Sequence, residues 1–129
     1  ALGFEAASRG AASVQLVESD AALVAQLHTL QQRLQATAMR VQRGDGVAAL
    51  KQAAPASLDL VLLDPPFDSD LFNPALQAAA QAVAADGFVY LEAPRAWADE
   101  ELAVWGLAVH RHLKAGAVHA HLLRRMASL

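Results

Sequence analysis

Leu58-Asp59-Leu60-Val61-Leu62-Leu63-Asp64-Pro65-Pro66-Phe67 is the stretch on which the fold turns. Apart from Asp59 the run up to Leu63 is aliphatic, which is the pattern of a strand covered on both faces in a parallel sheet. The prolines then end it. Proline fixes φ, has no N–H to offer a ladder, and steers the residue before it away from the helical region. The chain therefore leaves the sheet at Asp64, with the carbonyls of Asp64 and Pro65 free to face a ligand.

Elements alternate outward from this strand. Upstream, Leu2 to Arg9 is helix-compatible and Gly10 suits a left-handed cap. Ser13 to Glu18 reads as a strand, after which Ser19 or Asp20 can cap a helix whose Leu23, Leu27, Leu30 and Leu34 form one apolar stripe. Met39 to Arg43 makes a further strand closed by Gly44-Asp45-Gly46, and Val47 to Gln52 a short helix. Downstream, Pro74 suits the first turn of a helix reaching about Ala85, with Asp86-Gly87 as the turn into a strand from Phe88 to Glu92. A short helix near Ala98 to Val104 precedes two strands, Leu107 to Leu113 and Val118 to Leu123, joined too tightly for a crossover helix. The expectation is an α/β, three-layer, doubly wound sandwich, mostly parallel, ending in an antiparallel hairpin, with residues 1–129 as a single domain.

Composition agrees. Hydrophobic residues make up 55% and aromatics only 5%, so aliphatic strands under Ala-rich helices should form the core. Cysteine is absent, which excludes a disulfide framework and Cys-ligated metal and fits a reducing cytoplasm. No apolar run reaches the roughly 18 to 20 residues of a membrane span. A net charge of −3 sits awkwardly with nucleic-acid binding, for which the candidate cations are Arg40, Arg43, Arg111, Lys114, Arg124 and Arg125.

In a doubly wound sheet, ligands gather outside the carboxyl ends of the strands, and Glu18, Asp45 and Asp64 close three successive strands there. Glu18 could accept both hydroxyls of a ribose, or be an exposed acid beside a helix start. Asp45 could accept from the exocyclic amine of adenine with Gly44 and Gly46 allowing close approach, or simply cap the next helix. The Asp64-Pro65-Pro66-Phe67 turn points to chemistry on a nucleobase amine. Such an amine is a poor nucleophile because its lone pair is delocalised into the ring. Acceptors at the Asp64 side chain and the Pro65 carbonyl would hold its protons and favour the pyramidal form, and Phe67 offers a stacking face.

Arg9-Gly10-Ala11-Ala12, the Leu-Val-Glu ending at Glu18, Gly44-Asp45, Leu62 to Phe67 and Tyr90-Leu91-Glu92 together resemble the bacterial 16S ribosomal RNA guanine-N2 methyltransferase family RsmD, from Ala1 to about Arg125. That resemblance implies a Rossmann-like methyltransferase fold and S-adenosyl-L-methionine as cofactor. It further implies cofactor contacts at Gly3, Glu18, Ser19, Asp45, Gly46 and Asp64, and a catalytic turn of Asp64, Pro65, Pro66 and Phe67. Glu92 would lie near the floor of the site. The implied substrate is 16S ribosomal RNA or the assembling small ribosomal subunit, met by a cytoplasmic enzyme, more plausibly monomeric. The family also has a basic N-terminal extension and a first strand ending Asp-x-Phe-x-Gly-[Ser/Thr]-Gly. Only Ala1-Leu2-Gly3 corresponds to its end, so the chain reads as an N-terminally truncated member. Adenine-N6 methylation of DNA or RNA uses the same device and stands as an alternative, as does a non-catalytic module of this fold.

The last hairpin carries four histidines. A turn at Ala115-Gly116 would set His112 opposite His119 and His110 opposite His121, all on one face. Edge histidines account for this arrangement more simply than a metal site, so no metal is assigned. Trp97 and Trp105 are expected to cover the core near Phe88 to Glu92.

Overall fold

The computed structural model describes residues 14–18, 21–34, 39–65 and 69–126, with 14–18, 34 and 39–43 as backbone only. The helix expected over Leu2 to Arg9 lies outside these residues. The chain forms two compact units, Ala1–Ala49 and Leu50–Leu129.

In the first unit, β1 (Val14–Glu18) and β2 (Met39–Arg43) pair in parallel, from Val14 opposite Met39 to Glu18 opposite Arg43. Helix α1 (Ala21–Leu34) joins them, as a parallel pair requires. Its buried position is Val24, whereas Leu23 is 45% exposed; Leu27 and Leu30 of the expected row stay half-buried, so the stripe begins at Val24. Helix α2 (Gly46–Gln52) follows β2.

The second unit is built on β3 (Leu58–Leu63), α3 (Phe72–Ala82) and β4 (Val83–Ala93). A short helix α4 (Asp99–Leu102) and a 3₁₀ turn (Ala103–Trp105) lead to β5 (Leu107–Ala115) and β6 (Val118–Arg125). The strand order is β3-β4-β6-β5, with β3 and β4 parallel and the other pairs antiparallel. Helix α3 packs on β3 and β4. It buries Phe72, Ala75, Leu76, Ala79 and Ala82, a helical stripe whose small residues let its backbone approach the sheet. Leu76, Leu91, Leu102, Leu107 and Leu123 are fully buried, each worth about 1.5–3 kcal/mol.

Three expectations are revised. First, within the second unit one face of β3 is covered: Val61 and Leu63 are buried, while Leu60 on the other face is 46% exposed. Second, α3 ends at Ala82, because Val83 is extended (φ −75°, ψ 139°), fully buried and paired with Leu58. Asp86-Gly87 is therefore no turn between elements but part of a bulge inside β4, between the pairs Leu58–Val83 and Leu60–Phe88. A Cβ at Gly87 would lie 2.7 Å from the Asp59 carbonyl oxygen and 2.9 Å from a Val83 methyl, so only glycine fits this crossing. Third, the hairpin turns at Gly116-Ala117. Gly116 takes a left-handed φ of 61°, while Ala117 keeps a negative φ, the form of a II′ turn. This register sets His112 opposite His121 and Lys114 opposite His119. His110 falls at the irregularity between Val109 and Arg111 and packs against Phe88 instead (centroids 5.5 Å).

Candidate functional site

The register of β3 and β4 pairs Leu62 with Tyr90 and Leu63 with Leu91. One further step sets Asp64 beside Glu92 at the carboxyl ends of the two strands. Alternation along each strand sends Val61, Leu63, Val89, Leu91 and Ala93 into the core, and Asp64, Tyr90 and Glu92 to the other face. Pro65 is buried behind Asp64.

These side chains interact. The Tyr90 hydroxyl donates to Glu92 Oε1 at 3.0 Å. Partial burial, and then the Glu92 charge, raise the Asp64 carboxyl above the ordinary carboxylate range. Tyr90 is likewise raised, first by burial, then by its bond to Glu92 and the charges of Glu92 and Asp64. The result is a compact acceptor group at one strand edge: two carboxylates, one made more basic by the other, and a phenol that stays protonated and fixes Glu92.

Beside it, the loops leaving β3 and β4 enclose an open cavity of about 320 Å³, lined by Asp70, Phe72, Asn73, Pro94, Arg95 and Trp97 among others. The Arg95 guanidinium lies 4.1 Å from the Trp97 ring centre. It is held by a two-point pair with Glu101, at 2.9 and 2.7 Å. Glu101 also accepts from the Ala98 N–H, so one carboxylate fixes both the loop and the arginine. Phe72 supports the indole from the side, with centroids 6.1 Å apart. Trp97 is thus half-buried and faces this cavity, beyond the core-covering role expected of it. Its backbone N–H donates at 3.0 Å to Nε2 of the fully buried His121. That bond places the His121 proton on Nδ1, which faces the Leu91 carbonyl at 3.3 Å.

In the first unit, Glu18 is the last residue of β1. Asp45 accepts from the N–H groups of Val47 (2.9 Å) and Ala48 (3.4 Å) through Oδ1, so it caps α2. Capping occupies one carboxylate oxygen and fixes the side chain at the carboxyl end of β2. A Cβ at Gly46 would meet nothing within 4 Å. Among the described residues, packing therefore does not demand glycine there. Gly3, Ser19, Pro66, Phe67 and the Glu18 side chain lie outside the described residues.

The residues brought together are thus Asp64, Pro65 and Glu92, joined by Tyr90. Asp70, Asn73, Arg95 and the cavity role of Trp97 were not read from the sequence, since nothing local announces that the two loops meet. The Asp64-x₅-Asp70 and Glu92-Ala93-Pro94-Arg95 spacings, both leaving carboxyl strand ends, are the signal that was available. Among the described residues no group of three or more His, Cys, Asp or Glu is arranged to hold a metal ion. Among them, too, no helix is long and apolar enough to cross a membrane.

No curated protein sequence matches the chain. Solved structures do. The Escherichia coli protein yhhF, a proposed methyltransferase, is 29% identical, with a TM-score of 0.79 over 99% of this chain and 71% of its own. HI0767 of Haemophilus influenzae, a proposed methylase, is 25% identical, with a TM-score of 0.77 over 98% of this chain and 80% of its own. TrmN of Thermus thermophilus shares the fold at 20% identity, with a TM-score of 0.74 over 95% of this chain and 40% of its own. The family described as Conserved hypothetical protein 95 matches residues 1–124. With that match across nearly its whole length, and with an acid-Pro turn closing a buried parallel strand as the fold requires, the chain belongs to this family, the RsmD family of methyltransferases.

Proposed function

We propose that the chain transfers a methyl group from S-adenosyl-L-methionine to the exocyclic N2 amine of a guanine in 16S ribosomal RNA. The observation that carries this reading is Asp64, followed by Pro65 at the carboxyl end of β3, with its basicity raised by partial burial and then by Glu92. A guanine amine becomes nucleophilic when its two N–H bonds are drawn to acceptors out of the ring plane. The Asp64 carboxylate and the Pro65 carbonyl supply those acceptors, and Phe67 is assigned the stacking face. As the N–C bond forms, the nitrogen becomes acidic and must lose a proton. Asp64, more basic than an ordinary carboxylate, is suited to receive it.

The residues present fit the cofactor. The Asp45 carboxylate is fixed at the carboxyl end of β2, as an acceptor for the adenine amine would need, and Glu18 ends β1 where a ribose acceptor belongs in this fold. When bound, the cofactor supplies an electrophilic methyl on a sulfonium. Asp45 and Gly46 are assigned to its adenine, Glu18 with Ser19 to its ribose, and Gly3 to its methionine side. Support for an RNA substrate comes from the family membership.

The test is methyl incorporation from labelled cofactor into 16S RNA, naked and within assembling small-subunit particles, followed by nucleoside analysis. Asp64→Ala should lower turnover at least 100-fold while cofactor affinity, read by calorimetry, stays within a few-fold. Retained turnover would remove Asp64 from this role, and N6-methyladenosine as the product would reassign the substrate base.

A further inference from the structure

We propose that the cavity walled by Trp97, Arg95 and Phe72 is a stacking site for one base of single-stranded RNA, the neighbour of the nucleotide presented to Asp64. This rests on the reading of the chain as an enzyme acting on an RNA guanine.

The walls select the ligand class. The Arg95 guanidinium carbon lies over the indole, 4.1 Å from its ring centre, and Phe72 braces the indole, so the wall offers the two kinds of group, indole and guanidinium, on which bases stack. Glu101 pairs with both terminal nitrogens of Arg95, which holds the guanidinium over the indole and offsets its charge toward a phosphate. Asp70 adds a carboxylate to the lining. A phosphate would meet that negative charge, whereas the N–H edge of a base would find acceptors and an amide in Asp70 and Asn73. At about 320 Å³ the space lies at the small end of ligand pockets, about 300–1,000 Å³, suited to one planar group rather than a peptide segment.

Position selects which base. The lining residues Asp70 and Asn73 follow Asp64 along the loop leaving β3 and the start of α3, and Pro94 and Arg95 follow Glu92 along the loop leaving β4. The cavity is thus made by the two loops that also frame the acceptor group, which belongs to the target. An RNA strand with its guanine amine at Asp64 reaches this surface with an adjoining nucleotide. Stacking adds affinity to whatever the charges of the molecule supply, because every base offers a π-face.

The test uses Trp97 as its own reporter in a Trp105→Phe background. Titration with a hexaribonucleotide carrying a central guanine should quench Trp97 fluorescence to saturation. The same oligonucleotide made abasic on either side of the guanine should, on one side only, bind about 10-fold or more weakly, the loss of one stacked base. Trp97→Phe should retain most of the affinity, measured by anisotropy of a labelled strand, and Trp97→Ala and Asn73→Ala should lose it, with KM for RNA raised and kcat little changed. No quenching, or equal affinity for intact and both abasic strands, overturns the site. Selective quenching without methylation would instead leave the site standing and remove the proposed reaction. Methylation with an unchanged KM in Trp97→Ala would do the opposite.

Discussion

At the scale of single residues, the site is a problem of neighbouring charges. Asp64 is raised because it is partly desolvated and because Glu92 stands beside it, and Tyr90 holds Glu92 in place through a 3.0 Å bond. A carboxylate that must be ionised to accept a proton loses function as it protonates, so the acid limb of activity should lie above the ordinary carboxylate range. Glu92→Gln removes the negative neighbour and lowers the Asp64 pKa, so that limb should move to lower pH in a profile of kcat/KM. A limb that stays in place would mean that Glu92 does not influence the reacting group. Asp64 was legible in the sequence because its signal is local: an acid and two prolines closing an aliphatic strand. The stacked Arg95 and Trp97 were not, because their meaning depends on Glu101 folding back and on a second loop arriving from β3. Asp45 was readable as a cap or as a ligand contact. Its bonds to Val47 and Ala48 establish the cap and leave one carboxylate oxygen outside it.

Between elements, two contacts set the geometry. At Gly87 the chain crosses β3 so closely that Gly87→Ala must push against the Asp59 carbonyl, which is backbone and cannot swing away. The cost should be about 1–3 kcal/mol, read as a lower urea midpoint with an unchanged denaturant slope. The second contact is His121, which ties β6 to the loop of Trp97. Its pKa is lowered by burial and, less strongly, by the facing His112 and His119, while its bond to the Leu91 carbonyl acts in the opposite direction. The folded chain therefore keeps His121 neutral when the unfolded chain would already be protonated. This contribution is complete above about pH 6.5 and declines as pH falls from there toward the lowered folded value. His121→Leu, which leaves the Trp97 N–H without its acceptor, should cost about 1–3 kcal/mol at pH 7.5. It should also lose less stability than the parent between pH 7.5 and 5.5, and an equal loss in both proteins would show that His121 is not the titrating group. The hairpin itself was legible, since the link between its strands is too short for a crossover. Its register was not, because adjacent turn choices at Ala115, Gly116 and Ala117 differ little in composition and the left-handed Gly116 decides between them.

For the molecule as a whole, the parallel pairing of β3 with β4 and the antiparallel closing hairpin could be anticipated from alternation and link length, but not which faces would be covered. The aliphatic run of β3 suggested burial on both sides, yet within its unit α3 covers one face and Leu60 stays exposed on the other. Among the candidate cations, Arg111, Lys114 and Arg124 are exposed, while Arg125 reaches back to the Val83 carbonyl at 3.3 Å and so serves the fold. Strand β4 is the member of its sheet that joins the two kinds of pairing, parallel to β3 on one side and antiparallel to β6 on the other, with Val83, Val89, Leu91 and Ala93 fully buried. Its amides are held alternately by the two ladders, so neither set lies at a sheet edge. In deuterated buffer, the amides from Val89 to Leu91 should therefore be the last of the second unit to exchange, well behind those of β5 beside the exposed turn. Faster exchange there than in β5 would place the slow centre elsewhere. The partner of Asp64 thus rides on the slowest clock in its half of the chain: Glu92 is carried by that strand, and the loop that begins two residues later is itself tied down by Glu101 and His121.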